Sequence, residues 1–235
     1  MKWLGKLVTI VLMLGLGLYG LYLYNFPEAS HRYRLTVEIE ADGKVHSGTG
    51  VVDVLWFEQT MSQVTVNSHV KGRAALVDLG KHGVVIAALN NNVRSVEFKP
   101  VPRDAEYLAL EAFYGRPTWA TKKVSQQRKA YKAIGGETGR RSLPEASYPP
   151  FIWLPNPADR GSAEPMMARD FPRKIDPSVK IRSVTVEMTN DPFDNNLFEK
   201  LPWLEAAYID ERANGLRANA QVFKLYSTDL MGKIR

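Results

Sequence analysis

A long apolar run near the start of the chain sets its organisation. Residues 7–24, 18 in number, carry no charge and are almost wholly apolar. As a helix they would be roughly 27 Å long, about the hydrocarbon thickness of a bilayer. The run therefore predicts one N-terminal transmembrane helix, within a membrane anchor that covers residues 1–27.

The residues on either side of the run favour an uncleaved anchor over a cleaved signal peptide. Lys2 and Lys6 supply the positive segment that both kinds of sequence need. No pair of small residues follows closely enough for cleavage, whereas several tyrosines and Phe26 suit a membrane interface. Because only six residues precede the run, we expect the N-terminus in the cytoplasm and residues 28–235 outside it.

Beyond the anchor, apolar and polar residues alternate as they do in β-strands. Residues 33–40 place apolar side chains on one face and polar side chains on the other, which predicts a half-buried strand. Asp42 and Gly43 form the turn signature of a hairpin, whose second strand is predicted to run to Trp56. A hairpin therefore begins the domain.

Further strands and helices complete the predicted domain. The strand at 84–89 is apolar on both faces, so we expect it in the centre of a sheet. The apolar phase of 179–188 shifts near Ser183, which predicts a β-bulge. Asp104 and Gly115 mark the ends of a predicted helix. The other predicted elements are strands at 73–79, 93–98, 151–154 and 221–227, a helix over 121–134 and helical turns over 197–208.

Together these elements predict an α+β fold, with a mainly antiparallel sheet built from hairpins and a few short helices after the transmembrane helix. The chain is 45% apolar and 24% charged, which is typical of globular proteins. Residues 28–235 suffice for a single domain with a sizeable core. Residues 135–178 are rich in proline and glycine and are predicted as one long loop, a kind of segment that often carries function.

Positive charge is concentrated in one part of this domain. The chain has a formal net charge of +6, and Glu137 is the one acid among the eight cations between residues 116 and 141. Three interpretations stay open: a solvated helix face, contact with anionic lipid beside the anchor, and binding of an acidic protein partner. Nucleic acid is not expected as a ligand outside the cytoplasm. The residues of this candidate anionic-surface contact are Arg116, Lys122, Lys123, Arg128, Lys129, Lys132, Arg140 and Arg141.

The sequence offers no motif for catalysis, a cofactor or a metal. Without cysteine it has no disulfides, thiol nucleophiles or cysteine-ligated metals. No two histidines have the spacing of a zinc-binding helix, although His46 and His69 could meet across neighbouring strands. Residues 190–196 hold oxygen ligands that would suit calcium, but an ordinary Asx turn is the favoured interpretation. We therefore predict no catalytic, cofactor-binding or metal-ligating residue.

Three short motifs resemble a family of uncharacterised bacterial proteins. They are the run at 176–187, Asn190-Asp191-Pro192, and Leu201-Pro202-Trp203-Leu204. Proteins of that family also begin with a hydrophobic anchor and a strand similar to residues 33–39. The resemblance implies an anchored, sheet-containing domain and brings no established activity.

These observations predict a non-catalytic binding or interaction domain at the cell envelope. We expect it in the bacterial inner membrane, crossing once, with its C-terminal domain in the periplasm. The missing catalytic motifs favour this function. One alternative is an envelope hydrolase, with acids and a histidine meeting in a cleft near 135–178. The other is a secreted binding protein, which would follow if the N-terminus were a cleaved signal.

Overall fold

The structure, a computed structural model, describes residues 2–25, 28–59, 65–90, 104–115, 124–214 and 230–231. These residues form an α+β fold with two antiparallel sheets and short helices. The strands are β1 (Ala29–Ala41), β2 (Lys44–Gln59), β3 (Thr65–Gly72), β4 (Ala75–Asp78), β5 (Val84–Ala87), β6 (Arg140–Ser142), β7 (Phe151–Leu154), β8 (Glu164–Met166) and β9 (Lys180–Met188). The α-helices of the described residues are α1 (Lys2–Asn25), α2 (Ala105–Tyr114), α3 (Val124–Ala133), α4 (Phe171–Lys174), α5 (Asn196–Lys200) and α6 (Leu204–Asn214).

The first sheet is built around β1, in the strand order β3-β2-β1-β9-β6. Along β1 the side chains alternate between buried and partly exposed positions, as the sequence pattern predicts. The turn into β2 holds Asp42 at φ +51° and Gly43 at φ +73°, a left-handed conformation that Asp and Gly tolerate. The predicted first hairpin is therefore confirmed.

The second sheet has the order β4-β5-β7-β8. All four residues of β5 are buried, and β5 lies between β4 and β7, so its predicted central position is confirmed. The outermost strand, β8, contains Pro165. A proline has no backbone N–H to donate. An edge strand tolerates it, because one side of the strand has no neighbouring strand to bond.

Two glycines let the sheets approach each other closely. A Cβ atom on Gly48 of β2 would lie 2.0 Å from the Leu76 carbonyl oxygen. A Cβ on Gly50 would lie 2.2 Å from the Arg73 carbonyl oxygen. Since any larger residue would collide with backbone atoms, glycine permits β2 to cross β4. Buried residues of both sheets consequently form one hydrophobic core.

Helix α2 lies where the sequence predicts it, but the expected capping hydrogen bond at its start is absent. Gly115, at φ +74°, ends α2 as predicted. Asp104 occupies the N-cap position of α2, but its side chain makes no capping hydrogen bond. In and just after α3, Tyr131 and Ile134 are buried, which gives the basic helix the narrow apolar stripe that anchors it to the sheet.

The predicted bulge in β9 is also present. Glu38 pairs with Ser183, but the next β1 residue, Ile39, pairs with Ile181. Arg182 is therefore the extra residue on the bulged strand. The apolar side chains of β9 stay on the core face on both sides of it.

One prediction about the chain is wrong, and one further strand was not predicted. Residues 135–178 are not one long loop, since they contain β6, β7, β8 and α4. Strand β7 coincides with the predicted strand at 151–154. Strands β6 and β8 are only three residues long and are defined by pairing with neighbours, so their residue order did not reveal them. Strand β3 was not predicted. The predicted strands at 93–98 and 221–227 lie outside the described residues.

Helix α1 covers the apolar run without a break, over 24 residues. Apolar side chains such as Val8, Leu12 and Leu16 are each more than half exposed. Within the part of the chain that the structure describes, no helix combines the length and the apolar character needed to cross a membrane.

Candidate functional site

The basic helix α3 lies against the amino-terminal end of β1. Glu28, just before β1, accepts a hydrogen bond from Arg128 Nη2 at 3.1 Å and pairs with Lys132 Nζ at 3.1 Å. Arg128 and Lys132 are four residues apart and share one face of the helix. The start of the domain and the basic helix are therefore joined through one carboxylate.

Aromatic packing holds α3 in this position. Tyr131 stacks on Trp56, with the ring centroids 5.3 Å apart and the ring planes 16° from parallel. The Tyr131 hydroxyl also lies 3.5 Å from Glu28 Oε2. Because this apolar face of α3 points to the sheet, the charged residue Lys129 is left exposed. The geometry gives α3 an outer basic surface at the end of the domain that adjoins α1.

The other cations of the basic stretch do not join this surface. Arg140 pairs with Glu187 at 2.9 Å. The Arg141 guanidinium lies over the Phe113 ring, 5.1 Å from its centroid. Both arginines belong to β6, at the edge of the first sheet. In the described residues the basic stretch is therefore divided into an α3 group and a β6 pair. Arg116, Lys122 and Lys123 lie outside those residues.

A polar cavity of about 580 Å³ opens beside the first residues of β1. It forms where β9 ends: Tyr33 pairs with Met188, and the β1 residues before Tyr33 have no β9 partner. An ion pair between Arg32 Nη2 and Asp53 Oδ2, 3.3 Å long, lies in its wall. The volume is in the range of small-molecule sites. The lining is made by residues 30–32, 135–138 and 188–190 with Asp53 and Leu55.

The histidine in the cavity wall, His31, is a buried residue with little capacity to exchange protons. Trp56 Nε1 donates a hydrogen bond to His31 Nδ1 at 3.2 Å, so the neutral ring carries its proton on Nε2. Among the described residues, Nε2 has no hydrogen-bond partner. Burial lowers the pKa of His31 to about 3, far below the near-neutral pKa that suits a general base. The ring therefore contributes packing, not acid–base chemistry.

A second polar cluster lies at the other end of β1. Because β1 has 13 residues, this cluster is about 40 Å from the polar cavity and the basic helix α3. Asp42, His82 and Asp176 each offer a ligand atom, and these atoms lie within 4.8 Å of one another. His82 Nε2 is 3.2 Å from Asp42 Oδ2, and Lys81 Nζ is 2.9 Å from the same oxygen. Hydrogen bonds from Lys81 and His82 lower the pKa of Asp42 to about 2.

Hydrogen bonds from neighbouring turns fix the geometry of this second cluster. Ser178 Oγ donates to Asp176 Oδ1 at 2.7 Å and lies 3.2 Å from Asp42 Oδ1. The Ser178 backbone N–H also donates to Asp176 Oδ1, and these bonds lower the pKa of the Asp176 carboxyl. Trp153 Nε1 donates to the His82 carbonyl oxygen at 2.7 Å, which holds the histidine turn. Both carboxylates are therefore ionised at neutral pH.

The structure does not form either of the metal sites that the sequence suggested, the pair of His46 and His69 and the segment 190–196. His46 and His69 do not meet. His46 pairs with a residue of β1 and His69 pairs with a residue of β2, and these two paired positions are about 30 Å apart along the strands. In 190–196, Asp191 pairs with Arg34. The Asp194 carboxylate accepts from the backbone N–H of Asn196 at 3.3 Å, which is the expected Asx turn.

The second cluster meets the hydrolase hypothesis only in part. It brings acids and a histidine together, and Asp176 belongs to the segment 135–178. The Ser178 hydroxyl, however, contacts carboxylates and not His82, so these residues form no nucleophile–base pair. The polar cavity lies at the opposite end of β1. Sequence reasoning missed the cluster because its members come from three separate turns.

Comparisons of the chain with protein-family models, with curated proteins and with solved structures gave no match. The resemblance of three motifs to a bacterial family therefore stays a prediction. The chemistry of both ends of the domain has to be inferred from the described residues themselves.

Proposed function

We propose that the chain is a single-pass protein of the bacterial inner membrane, with a non-catalytic binding domain in the periplasm. Its basic helix α3 rests on the anionic headgroups beside the anchor. Support for the anchor comes from the uncharged sequence of residues 7–24, which one continuous helix covers. As a helix these 18 residues would be roughly 27 Å long, close to the thickness of the hydrocarbon core.

The observation that carries the proposal is the position of Glu28. It lies three positions after Asn25, the last residue of α1, and is therefore at most about 11 Å from the end of that helix. The headgroup layer on each side of a bilayer is roughly 5–8 Å thick. Since Arg128 and Lys132 both contact Glu28, α3 is held close to that layer.

Electrostatics make such a contact favourable. A cation close to an anionic leaflet contributes about 1 kcal/mol. Among the described charged residues of α3 and the residue it contacts before β1, the cations outnumber the acid: they are Arg128, Lys129 and Lys132, against Glu28. Because the domain is tethered to the same membrane, contact requires no separate encounter, and a weak attraction is enough to orient the domain.

Single-cysteine labelling can test the contact, since the chain has no cysteine of its own. Ser125 is exposed and shares a helical face with Arg128 and Lys132, so Ser125→Cys places a fluorophore on the proposed contact. Lys44→Cys places the same fluorophore at the exposed hairpin, about 40 Å along β1. Both full-length variants are reconstituted into vesicles that contain a headgroup-linked quencher.

We expect quenching at position 125 in vesicles with anionic lipid, and its reduction by high salt. The probe at 44 should stay bright in every vesicle. Equal fluorescence at both positions would refute the contact. Equal quenching of position 125 in neutral vesicles would show that the tether alone, and not the cations, brings α3 to the lipid.

The anchor and its orientation need a separate experiment. Protease is added to intact spheroplasts, and the membrane-bound and soluble products are sequenced from their N-termini. Full-length protein that stays with the membrane and is digested from outside supports the proposal. A shortened soluble product would favour the secreted binding protein instead. Protection from protease would place the domain in the cytoplasm and make nucleic acid a ligand to consider.

A further inference from the structure

The carboxyl-terminal end of β1, opposite the end that α1 precedes, holds a set of side chains suited to a metal ion. Asp42 lies in the turn between β1 and β2, and His82 lies in the turn between β4 and β5. Asp176 lies in the turn before β9. Three segments distant in sequence thus bring one imidazole and two carboxylates within 4.8 Å. We propose that Asp42, His82 and Asp176 bind a divalent transition-metal ion, of which Zn²⁺ is the probe.

The spacing of the donor atoms fits this assignment. In a tetrahedral zinc site with bonds near 2.0–2.1 Å, neighbouring donor atoms are about 3.4 Å apart. His82 Nε2 and Asp42 Oδ2 are already 3.2 Å apart. The Asp176 donor atom lies within 4.8 Å of both of these atoms. Water completes the coordination, as it does at zinc sites with three protein ligands.

The surrounding hydrogen bonds resemble those that orient metal ligands. Ser178 occupies the Oδ1 atom of Asp176 and approaches the Oδ1 atom of Asp42, which leaves Asp42 Oδ2 directed at His82. Such outer contacts fix the orientation of ligating carboxylates. The mixture of imidazole and carboxylate favours zinc over calcium, which takes oxygen ligands.

Lys81 is the competitor for this position. Its ammonium lies 2.9 Å from Asp42 Oδ2, where it neutralises the carboxylate, but its side chain is 70% exposed. A metal ion would displace the ammonium into solvent. Removal of the ammonium by Lys81→Met should therefore tighten metal binding, whereas a cluster whose natural cation is Lys81 would bind no metal in either protein.

The experiment is a Zn²⁺ titration of the full-length protein in detergent micelles, in competition with a chromophoric chelator. We expect one ion per chain. Affinity should fall at least tenfold in each of His82→Ala, Asp42→Asn and Asp176→Asn, and it should rise in Lys81→Met. Asparagine tolerates the left-handed backbone at residue 42, and circular dichroism checks that each variant is folded.

His46→Ala is the matched control, because His46 also lies near a carboxylate, that of Asp78, outside the cluster. It should bind Zn²⁺ as the unmodified chain does. Equal uptake by the unmodified chain and His82→Ala would overturn the proposal. So would an absence of uptake by both the unmodified chain and Lys81→Met. Neither result bears on the lipid contact of α3, which the vesicle experiment tests at the other end of β1.

Discussion

Trp56 and His31 are joined by a hydrogen bond and by ring stacking. Trp56 Nε1 donates to His31 Nδ1 at 3.2 Å, and the ring planes are 19° from parallel at a centroid distance of 6.2 Å. Burial lowers the pKa of His31 to about 3, against about 6.5 for an exposed histidine. The pair therefore couples protonation to unfolding.

The first prediction is acid sensitivity that depends on His31. Between pH 6.5 and pH 3 the unfolded chain binds a proton on this histidine and the folded chain does not. The free energy of unfolding should therefore fall with falling pH, by up to about 1.4 kcal/mol per pH unit from this residue. Above pH 6.5 the effect is absent.

Urea denaturation of full-length protein, followed by tryptophan fluorescence across this pH range, measures the effect. The control is His31→Asn, which keeps an acceptor for Trp56 Nε1 but does not titrate. Its pH slope should be shallower than that of the unmodified chain, because contributions from other groups are common to both. Parallel slopes would mean that His31 is not the coupled group.

The second prediction concerns the close approach of the two sheets. Gly50→Ala should lower the free energy of unfolding by roughly 1–3 kcal/mol or more, because the new methyl group would lie 2.2 Å from the Arg73 carbonyl oxygen. Gly136→Ala is the control, since a Cβ there meets nothing within 4 Å and should change stability little. Similar denaturation midpoints for the two variants would contradict the crossing of β2 and β4.

The third prediction separates the stability of α3 from its charge. Glu28→Gln removes the carboxylate that Arg128 and Lys132 share, at a side chain that is only 29% exposed. Exposed ion pairs contribute about 0–1 kcal/mol each, so the loss of stability should be small. Quenching of the probe at 125 in anionic vesicles should nevertheless increase, because the packing of Tyr131 on Trp56 still holds α3 in place while this end of the domain loses a negative charge. Lower quenching would indicate that Glu28 is needed to place α3 at the membrane.

The fourth prediction tests how β1 holds the second helix. The Tyr33 hydroxyl donates to the Ala105 carbonyl oxygen at 2.5 Å in a fully buried position. Tyr33→Phe should reduce the free energy of unfolding by about 1 kcal/mol. Tyr148→Phe, at a partly exposed tyrosine, serves as the comparison and should cost less. Denaturation curves that coincide for the two variants would show that this hydrogen bond adds no net stability.

The fold was predictable where burial leaves a strong imprint on residue order. The alternation along β1 and the wholly apolar β5 could be recognised because one or both faces are buried. Strand β3 has one fully buried apolar residue in its described side chains, Val70, so no alternation distinguishes it. The three residues of β6 are all exposed, and only their pairing with β9 makes them a strand.

The candidate sites were less predictable than the fold. The basic stretch was evident, but its division between α3 and β6 depends on which acids, Glu28 or Glu187, lie nearby in space. The cluster of Asp42, His82 and Asp176 joins turns that are 40 and 94 residues apart along the chain. No local spacing encodes such a meeting, because the register of the two sheets decides it.

Strand β1 has a further consequence for a domain tethered at its amino end. It is hydrogen-bonded on both sides, to β2 and to β9, and both neighbours run antiparallel to it. A pull on the tether acts along the strand axis and loads these hydrogen bonds in shear, so many of them must break together. A partner that gripped the Asp42 end would be connected to the tether through one continuous strand, and the domain would transmit mechanical force between them.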